Sequence, residues 1–242
     1  MKNIIIILSI SFAFSQSALS QPDQPKLVIT HLTGDFYVYT TYSTYQNSPV
    51  PSNSMYLVTT NGVVMFDVAW DSTQRQPLLD SIEKKHRQKV VLSISTHFHE
   101  DRTGGLDFLK QKGVKTFSSK MTYDLCKERN EEQSQFYFTH DTVFTIGNYQ
   151  FQAYYPGPGH TKDNIVVLFN KEKILYGACF IKSTESTNMG NIADADLAAW
   201  PASIKKLTRK FPKRDYVIPG HGGWENKKSL EHTLKLLQES SH

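Results

Sequence analysis

Between Ser93 and Gly105 the chain reads SISTHFHEDRTGG, which sets His97, His99 and Asp101 at alternate positions directly after a run of strand formers. In an extended segment, side chains two apart share a face. Whether the segment stays extended or turns ahead of Gly104-Gly105, the spacing predicts three metal-capable groups converging at a strand end, with Glu100 and Phe98 pointing away by alternation. Two neutral imidazoles suit zinc best, and a carboxylate can complete the set. Three more candidates stand in the same kind of place: His160 in YYPGPGHTKDN, Cys179 in LYGACFIK and His221 in YVIPGHGG. Each lies at or just beyond the end of a strand-like run. Ligands in α/β proteins gather beyond strand ends, and the glycines beside these residues let backbone approach a compact site. One short motif of this kind arises by chance easily; four ligand loops at strand ends do not. His31, His86, His140, His232 and His242 have no such setting and read as solvated or lightly packed. Asp67 and Thr96, at strand ends near the ligands, are candidates for supporting them, and Arg102 for bracing Asp101 or a neighbouring loop.

The elements that must position these residues follow from periodicity. Residues 27–44 alternate around Thr33-Gly34-Asp35 and predict two antiparallel strands. YQNSPVPSNS, with two prolines, predicts a loop or hairpin tip. A hairpin around Asn61-Gly62 follows, then a helix capped by Asp71 or Ser72, then the strand VVLSIST and the ligand-bearing loop HFHEDRTGG. Downstream come a helix stopped at Gly113, a strand VKTFSS, a helix KMTYDLCKERNEEQ, and hairpins around Gly147-Asn148 and Asn170–Lys173. A helix with Pro201 in its first turn, the strand YVIPG and a terminal helix complete the chain. This order predicts an α/β fold with two mixed sheets packed face to face and helices outside.

The chain has 242 residues, 39% of them hydrophobic and 21% charged, with a formal net charge of +4. Acidic and basic residues are interspersed, and no basic stripe with interleaved aromatics points to nucleic acid. MKNIIIILSISFAFSQSALSQ has a lysine, a short apolar run and the small-residue site Ala18-Leu19-Ser20. It reads as a secretory signal peptide over residues 1–20, cleaved before Gln21, and the run is too short to span a bilayer. Residues 21–242 then form one domain, exported and without a membrane anchor. No large apolar stripe demands a partner, so a monomer is expected. Export meets oxidising conditions, and the two cysteines, Cys126 and Cys179, could pair. Cys126, in YDLCKER beside Leu125, reads instead as a buried free thiol.

Over nearly the whole stretch from Lys26 to Glu239, the order His-x-His-x-Asp, His, Cys, His resembles the metallo-β-lactamases, in the superfamily that shares an αββα sandwich. Thioester hydrolases of that superfamily usually carry histidine where this chain has Arg102, and a bridging aspartate where it has Cys179. The pair therefore resembles the class B, broad-spectrum di-zinc subclass, and KMT…YYPGPGHTKDNIVV…CFIKS resembles its flavobacterial-type enzymes. The resemblance implies two Zn(2+) ions per chain, one on His97, His99 and His160 and one on Asp101, Cys179 and His221. It implies a periplasmic enzyme, conferring antibiotic resistance, in which a metal-bound hydroxide opens the β-lactam ring of penicillins, cephalosporins and carbapenems. Asp101 would orient the nucleophile, Lys182 would bind the substrate carboxylate, and Asn191 would bind substrate and help polarise the lactam carbonyl. The segment TYSTYQNSPVPSNS resembles a flap over the site, with Tyr45, Pro49 and Val50 as apolar contacts. The rivals are a di-zinc thioester or lactone hydrolase, against which Arg102 and Cys179 speak, and a secreted zinc-binding protein without catalysis, which leaves Lys182 and Asn191 unexplained. A serine mechanism fits poorly: Ser203-x-x-Lys206 lies within a helical stretch, and neither S-D-N nor K-T-G occurs.

Overall fold

The structure is a computed structural model, and it describes residues 27–45 and 47–239. The leader read at residues 1–20, the cleavage site and His242 lie outside the described residues. Seven strands form one sheet in chain order: β1 (Val28–Thr33), β2 (Phe36–Tyr45), β3 (Ser48–Thr59), β4 (Gly62–Phe66), β5 (Val90–Ser95), β6 (Lys115–Ser119) and β7 (Phe136–Phe138). The first four are antiparallel, while β4 to β7 run parallel. The parallel pairs need crossovers, supplied by α1 (Ser72–His86), then α2 (Glu100–Thr103) with α3 (Leu106–Gln111), then α4 (Lys120–Arg129). A second sheet has the order β12-β11-β10-β9-β8, from β8 (Thr142–Ile146), β9 (Tyr149–Tyr154), β10 (Val166–Phe169), β11 (Ile174–Ala178) and β12 (Tyr216–Pro219). Helices α5 (Trp200–Lys210) and α6 (Ser229–Glu239) cover its outer face.

Alternation along the strands builds three apolar layers. Between the sheets, Phe66 meets Phe151 and Phe169 edge-on with ring centroids 5.1 and 5.4 Å apart, among Val38, Leu57, Ile94 and Val167. Outside the larger sheet, Met65, Leu78, Ile82 and Leu109 pack α1 and α3. Outside the smaller one, Leu175, Trp200, Ile204 and Leu237 pack α5 and α6. Each fully buried side chain of this size contributes about 1.5–3 kcal/mol. The result is the expected αββα sandwich.

Three local expectations are corrected. The proline-rich segment does hold the closing end of a hairpin, at Tyr45↔Ser48, but its prolines are strand rather than loop: β3 begins at Ser48 and pairs with β2 through Thr44↔Pro49 and Tyr42↔Pro51. β4 pairs with β3 only from Met55 onward, so this part of β3 has an open side. Pro49, Pro51 and Asn53 share a parity, and their nitrogens face that open side, where no ladder bond is lost. Asn53 N–H confirms the direction, donating to Gly220 O at 2.8 Å. Second, alternation does not carry through the ligand segment, which takes the turn left open by its glycines: it bends at His97–His99, and Asp101 lies in α2, capped at His99. Glu100 is exposed but lines the cleft described below rather than facing away from it. Third, β7 adds an edge strand where a connection was expected. Both cysteines are free and buried, and burial pushes the Cys126 thiol up to about 12. His86 is better packed than expected, its Nε2 lying 3.0 Å from Tyr56 Oη.

Candidate metal centre and cleft

The six candidate ligands converge on one edge of the sandwich, three from each sheet. His97, His99 and Asp101 follow β5, His160 lies between β9 and β10, and Cys179 and His221 directly follow β11 and the end of β12. Two residues at strand ends take left-handed backbone, Asp67 (φ 65°) after β4 and Ala178 (φ 45°) before Cys179. Both are costly for residues with a Cβ, and both aim a side chain of the site. The ligand atoms form three overlapping groups, each within 4.8 Å: His97, His99 and Asp101; His97, His160 and Cys179; Asp101, Cys179 and His221. The last is the second trio expected from sequence. The first expected trio, His97, His99 and His160, is not itself one of these three groups, though its imidazoles pack against one another with centroids 4.9–5.0 Å apart.

Hydrogen bonds fix which nitrogen each histidine offers. Thr96 Oγ1 lies 2.9 Å from Asp67 Oδ2, to which its hydroxyl donates. It therefore accepts from His97 Nδ1–H at 3.2 Å and leaves His97 Nε2 bare. That nitrogen is buried with no partner among the described residues. His221 Nδ1–H donates to Pro51 O at 2.7 Å, which turns Nε2 toward Cys179 Sγ and Asp101 Oδ2, both 3.2 Å away. His99 Nε2–H donates to Asp194 Oδ2 at 3.1 Å, which leaves Nδ1 facing His160 Nε2 at 3.1 Å. A buried, unpartnered imidazole nitrogen amid thiol and carboxylate is a donor set that fits zinc.

Electrostatics points the same way. Burial, then His99, pushes His97 well below its usual range; burial, then Lys182, does the same to His160. Burial alone would raise Asp101, but the Arg102 guanidinium and His221 outweigh it and hold the carboxyl well below the carboxylate range. Arg102 is fully buried. It donates to Asp101 Oδ2, Cys179 Sγ and Gly220 O at 3.0 Å each, and to Asn53 O at 2.9 Å. It thus braces Asp101, as expected, and Cys179 as well. Burial raises Asp67 to about 6 despite Arg102, Tyr176 and Thr96.

A cleft of about 640 Å³ opens over these ligands. Tyr45, Val50, Trp70, Ile181 and Met189 give it apolar walls, while Pro49 is not among its lining residues. Lys182 and Asn191 both line it. Lys182 N–H donates to Thr233 Oγ1 at 2.8 Å, which pins its backbone to α6. Asn191 Oδ1 accepts from Ala193 N–H at 3.2 Å, so its amide NH2 remains as the donor. Sequence reading missed Asp194 and Asn53. Asp194 is one acid among several in NIADAD, and Asn53, whose Nδ2 donates to Gly222 O at 2.7 Å, is one amide in a turn-like run. No local pattern distinguishes either.

Two mixed sheets between helices, with histidine-rich ligand clusters at the shared strand-end edge, define the class of a metal-dependent hydrolase. The chain belongs to the metallo-β-lactamase superfamily, whose sequence model matches residues 47–221. It is similar to a metallo-β-lactamase type 2 of Elizabethkingia meningoseptica, 40% identical over 217 residues, covering 90% of this chain and 87% of that one. It is similar to metallo-β-lactamase IND-1 of Chryseobacterium indologenes, 36% identical over 239 residues, covering 99% and 100%. Among solved structures, a metallo-β-lactamase from Pontibacter korlensis superposes with a TM-score of 0.85 at 38% identity, over 88% of this chain and 99% of that one. The recognition and the fold expected from sequence are borne out. Membership carries with it a divalent metal. No described helix is long and apolar enough to cross a membrane.

Proposed function

We propose that this protein is a zinc β-lactamase that hydrolyses the β-lactam ring of penicillins, cephalosporins and carbapenems, conferring antibiotic resistance. The observation that carries the reading is the convergence of six metal-capable side chains beneath a cleft whose free cation, among the described residues, is Lys182. His97, His99 and His160 would hold one zinc and Asp101, Cys179 and His221 the other, two per chain. Zinc held here supplies a Lewis acid for the lactam carbonyl and a nucleophile at neutral pH. Around it, this chain's residues do the rest. Lys182 binds the substrate carboxylate as a point charge. Asn191 donates its amide NH2 to the carbonyl oxygen as charge develops there. Asp101, kept ionised by Arg102, accepts a hydrogen bond from the nucleophile and orients it. Tyr45, Val50 and Trp70 exclude water from the substrate's apolar substituents. The signal peptide read at residues 1–20 supports a periplasmic location, with residues 21–242 as one catalytic domain working as a monomer.

The test is turnover of a chromogenic cephalosporin by the chain from Gln21 onward, as isolated, after chelation and after zinc is returned. Activity should vanish and come back, and Cys179→Ser should lower kcat/KM at least tenfold, the lower end of what loss of metal-ligand support costs. No turnover by folded, zinc-loaded protein would sink the reading and favour a thioester or lactone hydrolase, or a zinc carrier.

A further inference from the structure

Lys182 is unusual among the charged groups of the cleft. Burial lowers its ammonium, yet among the described residues that ammonium has no hydrogen bond and no ion pair. What it does have is an aromatic face: Lys182 Nζ lies 5.5 Å from the ring centroid of Trp200, within the range of cation–π attraction. Trp200 is itself fully buried. Its Nε1–H donates to Phe180 O at 3.1 Å, its ring stacks on Phe180 at 6.0 Å, and it packs against His160 at 6.0 Å. Gly159 shows how close that packing is: a Cβ there would stand 2.5 Å from the Phe180 ring and 2.9 Å from Trp200. The ring therefore has one orientation, and the lysine lies on it.

We propose that Trp200 is the positioning residue for the substrate-carboxylate cation: its ring holds the Lys182 ammonium over the cleft without neutralising it. A carboxylate partner would hold the ammonium equally well but would occupy the charge that the substrate needs. An aromatic quadrupole fixes a cation and leaves it able to bind an anion. The same ring packs His160, so the position of the cation is referenced to the ligand cluster rather than to a flexible stem. Four rotatable bonds that a lysine elsewhere must order on binding are thus ordered beforehand. This inference rests on the lactamase reading and on Lys182 as the group that meets the carboxylate.

The experiment compares kcat/KM for one cephalosporin as the free acid and as its methyl ester. The zinc-loaded wild type should prefer the acid about tenfold, and Lys182→Ala should erase the preference. Trp200→Leu should cut it roughly three- to tenfold, the range of a partly desolvated cation–π contact, through KM for the acid. Trp200→Phe, with a weaker quadrupole, should fall between. Because Trp200 is a core residue, a second series replaces it alone with mono-, di- and trifluorotryptophan, which keep the shape and drain the ring's negative face. KM for the acid should rise with each fluorine while KM for the ester stays level. An acid preference that survives both Trp200→Leu and the fluorine series would overturn the role of Trp200 alone. Turnover of acid and ester with equal kcat/KM in the wild type would remove the role of Lys182 as well. Turnover of neither would remove the lactamase reading and this inference with it.

Discussion

Three of the four histidines in the site spend one ring nitrogen on an oxygen acceptor and turn the other toward the ligand cluster, and this division rests on residues outside that cluster. Arg102 does the matching work for the anionic ligands. It is a buried fork shared by Asp101, Cys179 and two backbone carbonyls, with Asp67 at 3.5 Å. Arg102→Ala should cost about 3–5 kcal/mol in denaturant unfolding, because it strands buried anions without a partner. Zinc affinity should fall by about 10–100-fold. Arg102→Lys should recover the charge but not the fork, and so only part of either loss; full recovery would show that geometry is immaterial here. The ligands were legible in the sequence because histidine and cysteine directly after strands are few and their spacing is distinctive. Asp194 and Asn53 were not, since Asp and Asn are ordinary loop residues and only the folded chain gives each its partner.

The strand ends bring the ligands together, and glycine sets how closely two of them approach. A Cβ on Gly220 would lie 2.7 Å from Ala178 C, from Cys179 N and from an Arg102 nitrogen. The first two are backbone, so the contact cannot be relieved by a rotamer change. Gly220→Ala should push the end of β12 away from β11 and spread Cys179 from His221. On the proposed two-zinc site, the expected outcome is loss of roughly one equivalent of tightly bound zinc by metal titration, with destabilisation of about 1–3 kcal/mol; retention of both equivalents would contradict it. At this scale the sequence was readable where patterns are long. The hairpins around Asn61-Gly62 and Gly147-Asn148 and the helix capped by Asp71 are in place. It misled where a local rule met a tertiary exception. Two prolines argue against a strand unless their nitrogens face an open side, as in β3, and nothing local reveals that side. The His-x-His-x-Asp spacing fitted an extended face or a turn equally, and only the fold shows α2 turning Asp101 inward from a helix. β7, only three residues long, is defined by its pairing with β6 rather than by its own composition.

For the whole molecule, the histidines predict how stability varies with pH when metal is absent. His97 and His160 are held neutral, well below the ordinary 6.5, chiefly by burial. Their contribution is present above pH 6.5 and is lost as pH falls through their folded values. His221 is opposite in sign. Burial works against its charge, but Cys179 and Asp101 raise it to about 9, so its contribution is full below 6.5 and fades toward pH 9. Chelated protein should therefore melt highest near pH 6.5, and His221→Gln should flatten the alkaline limb; a limb unchanged in that variant would refute the assignment. Zinc returned at a hundred times its dissociation constant should add about 2.7 kcal/mol, a rise of roughly 5–10 °C in Tm for a chain of this size. The division of the ligands has a broader consequence. With three drawn from each sheet, the site acts as a gauge of alignment between two layers whose shared core is apolar packing around Phe66, Phe151 and Phe169. A core substitution that slides one layer an ångström past the other leaves every ligand intact and still ruins their rendezvous. Selection for chemistry at the rim is therefore also selection for tolerance deep in the sandwich. Mutations far from any histidine should appear among the inactive variants of a chain that still folds.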